Sequence, residues 1–128
     1  MTMIENHTYD EIQIGDKASI IRILTEKDIA LFAAVSGDVN PTHLDEEYAR
    51  SSLFHELIGH GMWGGALIST VLGTQLPGPG AIYLSQTLKF REPVKIGDKI
   101  KVEVCVREKA DGGRVIFDCQ CRNQLDAS

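Results

Sequence analysis

The residues best equipped for chemistry stand together at 36–43, which read Ser-Gly-Asp-Val-Asn-Pro-Thr-His. Asp38 and His43 put an acid and an imidazole five positions apart, in a stretch that Gly37 and Pro41 shape into a loop. Side chains so spaced can converge on one small molecule and move protons to and from it. On spacing alone, an Asx turn beside a surface histidine explains the same residues more simply.

Two other patterns invite stronger claims and fail on geometry. His55-Glu56-Leu57-Ile58-Gly59-His60 resembles the zinc-protease H-E-x-x-H, yet its second histidine comes five positions after the first. That is about 140° round a helix, off the face that two zinc ligands must share, so no metal site is expected. Gly59-His60-Gly61-Met62-Trp63-Gly64 matches G-x-G-x-x-G, but no acid occurs between Leu57 and Arg91. A dinucleotide fingerprint wants one roughly 20 positions on, within a βαβ unit. What survives is Gly61 at a helix start, where free N–H groups and the positive dipole end can hold an oxyanion. Glycine there would equally let the helix pack closely.

The elements that must position these residues follow from periodicity. The β-branched run within 18–24 predicts a strand, and Thr25 with Asp28 predicts a capping box opening a helix. Ile29, Phe32, Ala33 and Ser36 recur at helical spacing until Gly37 stops them, leaving 37–41 as a loop. Residues 45–50 suit one or two helical turns with acids at the start. Residues 61–76 carry no charge and predict a buried helix, broken by Pro77-Gly78-Pro79-Gly80 and too short to span a bilayer. Alternation predicts strands over 82–90 and 100–106, and Asp111-Gly112-Gly113 turns the latter into a hairpin with 114–123. The quartet I-G-D-K occurs at Ile14 and Ile96, each time before a strand, and reads as a shared turn. The order implies an α+β single domain, its antiparallel sheet wrapped around one apolar helix.

Composition narrows the partners. The chain has 128 residues, 43% of them apolar, enough for one core. A net charge of -5 without a Lys/Arg cluster argues against nucleic acid, and no apolar run suits a leader or a membrane span. Cys105, Cys119 and Cys121 are odd in number without C-x-x-C spacing, which suits a reducing cytoplasm. Cys119 and Cys121 would share a strand face as apolar filler.

The run from Phe32, F-A-A-V-S-G-D-V-N-P-T-H-L-D-E-E-Y-A, resembles the hydratase-2 motif of MaoC-like (R)-specific enoyl-CoA hydratases, with Thr42 where the family usually has Val, Ile or Leu. The resemblance continues through H-G-M at His60, L-P-G-P-G-A-I-Y-L-S-Q at Leu76, F-R-E-P-V at Phe90 and I-G-D at Ile96. It implies a hot dog fold spanning residues 1–128, and reversible syn hydration of a trans-2-enoyl-CoA to an (R)-3-hydroxyacyl-CoA. It also implies roles by position: Asp38 and His43 as the catalytic pair, Gly61 as the thioester-binding amide, Asn40 as a loop-shaping group and Ser69 as a supporting hydroxyl. Trp63 and Leu72 read as core residues, with a lesser claim to limiting an acyl pocket. Such chemistry needs no cofactor beyond the coenzyme A of the substrate.

A hot dog thioesterase is the nearest alternative, but it usually carries an acid on or near the central helix, and 61–76 has none. A non-catalytic acyl-CoA-binding module is the other. Family members generally continue into one more strand beyond a point such as Ser128, so a cut C-terminus or a following module is expected. Exposed sheet edges predict a homodimer.

Overall fold

β1 (Lys17–Ile23) pairs with β2 (Lys99–Ala110), and β2 with β3 (Arg114–Arg122), in an antiparallel sheet of order β1-β2-β3. The computed structural model describes residues 6–51 and 57–125. Ile100, Val102, Val104 and Val106 point from alternate positions of β2 into the core, as the alternation predicts. The β2–β3 turn needs left-handed backbone, which Gly112 (φ 77°) and Gly113 (φ 73°) supply.

The repeated quartet is one turn used twice. Gly15 has φ 94° and Gly97 φ 93°. Asp16 accepts from the Gln13 N–H at 2.8 Å, and Asp98 from the Lys95 N–H at 2.9 Å.

α1 (Glu26–Ser36) starts and stops where its sequence says. Asp28 N–H donates to Thr25 Oγ1 at 3.1 Å and Thr25 N–H to Asp28 Oδ2 at 3.0 Å, the reciprocal cap. Gly37 closes it at φ 79°, its N–H donating to the Ala33 carbonyl at 2.8 Å. Pro41, expected at the end of a loop, instead opens α2 (Pro41–Leu44), because its fixed φ suits a first helical position. α3 (Glu46–Ser51) follows.

α4 (Gly61–Thr74) lies across the sheet, with Trp63, Leu67, Ile68 and Val71 against Ile100, Val102 and Val104. Its opposite face, including Gly61, Met62, Ala66, Ser69 and Thr70, is exposed. The lack of charge predicted burial all round; a three-stranded sheet covers only one side.

Residues 82–90 differ from expectation too, joining no ladder among the described residues. Period-2 alternation records which side chains face apolar surface, not what pairs the backbone. Leu88 and Phe90 do face α4: a methyl added to Gly65 would meet Leu88 at 3.4 Å, and one added to Gly61 the Phe90 ring at 3.1 Å. The cysteines divide likewise. Cys121 packs against the core as filler, while Cys119 is exposed, its thiol pushed up to about 11 by partial desolvation and by Cys121 and Asp118.

Candidate active site

The loop after α1 is tied by its own polar groups. Ser36 Oγ donates to the Phe32 carbonyl at 2.7 Å and accepts the Asp38 N–H at 3.1 Å. Asp38 Oδ1 then accepts the Asn40 N–H at 3.3 Å, an Asx turn, and the Asn40 carbonyl accepts the His43 N–H at 2.9 Å. The simple turn and the converging pair therefore coexist in the same residues.

His43 reaches inward from α2, its Nδ1 2.8 Å from the Ile58 carbonyl. A carbonyl only accepts, so Nδ1 carries the proton of that bond and Nε2 is left to face other chemistry. Ile58 is itself held by an isolated bridge to Lys95.

A second imidazole completes the group. His60, 3% exposed, immediately precedes α4 and places Nε2 2.9 Å from the Asp38 main-chain carbonyl. Its ring stacks on that of His43 with centroids 4.0 Å apart and planes at 29°, and meets Phe32 at 4.8 Å. Its Nδ1 is buried without a hydrogen-bond partner among the described residues.

Asp38, His43 and His60 each offer a donor atom, all within 4.8 Å of one another. Such a group could ligate a cation, a tetrahedral ion at about 2.0 Å wanting its donors roughly 3.3 Å apart. A water bonded to two acceptors at about 2.8 Å holds them roughly 4.6 Å apart, which also falls inside that limit.

Gly61 is the first residue of α4, and its N–H has no protein partner among the described residues, as an oxyanion donor requires. Close packing is served as well: Phe90 crowds Gly61, and a methyl on Gly59 would sit 2.7 Å from Leu24. Ser69, exposed on α4, shares no hydrogen bond with the pair. Trp63 and Leu72 belong to the core.

His55 and Glu56 of the zinc look-alike lie outside the described residues, while 57–60 are not helical, so His60 is not presented on a helix after them. The sequence placed His60 in the H-G-M run of the family resemblance without giving it a place in the site. The remaining signal was a lone imidazole heading an uncharged helix. A hollow of about 680 Å³, bounded by Val39, Pro41, Leu44, Arg50 and Leu57 among others, lies beside the loop and is not lined by Asp38, His43 or His60.

An antiparallel sheet carrying one apolar helix defines a hot dog domain, with an acid and an imidazole brought together beside that helix's N-terminus. The chain belongs to the MaoC-like family, matching the MaoC like domain over residues 11–124. It is similar to an (R)-specific enoyl-CoA hydratase of Rhodospirillum rubrum, 49% identical over 100 residues that make up 78% of this chain and 69% of that protein. A 3-hydroxybutyryl-CoA dehydratase of Methylorubrum extorquens is 45% identical over 114 residues, 88% of this chain and 73% of that protein. Among solved structures, the unliganded R-hydratase of Pseudomonas aeruginosa superposes with a TM-score of 0.91 at 51% identity, over 95% of this chain and 79% of that one.

Proposed function

We propose that this chain is an enoyl-CoA hydratase, adding water reversibly and on one face to a trans-2-enoyl-CoA to give the (R)-3-hydroxyacyl-CoA. The observation that carries the reading is the Asp38, His43 and His60 group, compact enough for one water, beside a Gly61 N–H that has no partner among the described residues. The named activities of the hydratase and dehydratase relatives are the two directions of this one reaction.

In the proposed step, the Asp38 carboxylate takes a proton from the bridging water and the resulting hydroxide forms a bond to Cβ. The Cα–Cβ π pair moves toward the thioester carbonyl, whose oxygen becomes an enolate held by the Gly61 N–H. Asp38 hands its new proton to Nε2 of His43, the acceptor end of the neutral ring, and as the carbonyl reforms Cα takes that proton from Nε2, while Nδ1–H stays on the Ile58 carbonyl. Both groups end the cycle as they began it. Asn40 keeps the loop in shape, and Ser69 supports the site from α4. No metal or redox group takes part in these steps.

Crotonyl-CoA and the enzyme, mixed in the presence of a chelator, should lose the enone absorbance without releasing free thiol. Thiol release without hydration would assign a thioesterase, and binding with neither would assign an acyl-CoA-binding module. Acyl-CoAs of graded length in the same assay give the chain-length preference.

We further propose that the domain spans 1–128 and works as a homodimer in a reducing cytoplasm. The exposed face of α4, with Met62, and the exposed Ile82, Leu84 and Phe90 supply apolar surface for a second copy. The chain is 14.1 kDa, so light scattering should report about twice that mass; a monomer at working concentration would oppose the dimer. Three free cysteines suit a reducing compartment, and no helix among the described residues is long and apolar enough to cross a membrane.

A further inference from the structure

We infer that His60 is the positioning residue of this site, holding Asp38 and His43 at their working separation. The inference rests on the hydratase reading above, and names a residue outside the Asp38 and His43 pair.

His60 touches both halves of the pair by different means. Its Nε2–H donates to the Asp38 carbonyl at 2.9 Å, pinning the main chain that carries the carboxylate. Its ring lies under that of His43 at 4.0 Å, with Phe32 at 4.8 Å, fixing where the second imidazole can sit. It is joined by one peptide bond to Gly61, so the same residue sets where the proposed oxyanion donor points.

Helix capping does not explain this histidine. His60 occupies the N-cap position, yet its side chain makes no capping hydrogen bond and turns instead to the Asp38 loop. Residues chosen for capping are Ser, Thr, Asp or Asn. Nor is it core filler, because Nδ1 is buried and unpaired, a cost that an apolar ring would avoid. An imidazole supplies both the donor to Asp38 and the face that stacks on His43, where an amide supplies the donor alone.

The test compares His60→Phe, which keeps a ring and removes the donor, with His60→Gln, which keeps a donor. With crotonyl-CoA, H60F should lower kcat on the order of 10- to 100-fold while KM moves less than about 3-fold, since small misplacements of reacting groups cost that much. H60Q should recover most of the loss. A folded H60F with kcat within about 2-fold of wild type, or equal losses in both variants, would overturn the assignment. Imidazole nitrogen NMR gives a readout that needs no turnover. The wild type should show His60 as the Nε2–H tautomer and His43 as Nδ1–H, and in H60F the His43 signals should move to a tautomer mixture. Unchanged His43 signals would sink the proposal even in an inactive protein. A wild type showing the expected tautomers but no hydration would reject the hydratase reading and leave the positioning role standing.

Discussion

Asp38→Asn should cut kcat for crotonyl-CoA hydration by about 10³-fold, within the range of about 10² to 10⁴ usual for acid–base groups. The substitution is close to isosteric, and its amide oxygen can still accept the Asn40 N–H that Asp38 Oδ1 accepts at 3.3 Å. The Ser36 and His60 bonds go to the Asp38 main chain, so they do not depend on the carboxylate. The loop should therefore keep its shape, and the thermal midpoint should move little. What is lost is a base: a neutral amide cannot take the proton of the bridging water. Because substrate contacts elsewhere are intact, KM should stay within about 3-fold, placing the loss in the transition state. A folded variant with unchanged turnover would remove Asp38 from the mechanism and transfer the base role to His43.

Much of this arrangement is legible in the residues, and the limits of legibility have physical causes. The Thr25/Asp28 cap, the Gly37 stop and the repeated I-G-D-K turn are local, each encoded by residues three or four apart that bond one another. The Asp38/His43 convergence was readable only through the family resemblance, since spacing alone favoured an Asx turn beside a surface histidine. His60 was not, because its partners lie 22 residues away at Asp38 and 17 away at His43, and no periodicity connects them. The segment 82–90 shows the complementary limit. Its alternation predicted a strand and Leu88 and Phe90 do lie against α4, yet pairing is a property of two segments and cannot be read from one. The open face of α4 has the same origin, since apolarity records burial without naming what does the covering.

Gly61 permits a test of the oxyanion donor that side-chain mutagenesis normally denies, because proline at this position replaces the N–H with ring carbon. Gly61 is the first residue of α4, where proline is favoured and no intrahelical bond is lost. The preceding residue must be extended, and His60 already is, at φ -64° and ψ 133°. Gly61→Ala is the control: it adds the same Cβ against the Phe90 ring, 3.1 Å away, and keeps the N–H. Since Phe90 is 62% exposed, its ring has room to yield, and both variants should fold. A single oxyanion donor contributes about 3 to 4 kcal/mol, so G61P should fall roughly 10²- to 10³-fold below G61A in kcat. The comparison separates the two meanings of the glycine, since a packing role alone would lower both variants together. A G61P enzyme as active as G61A would move the enolate to another donor, with the next N–H of α4, that of Met62, the first to examine.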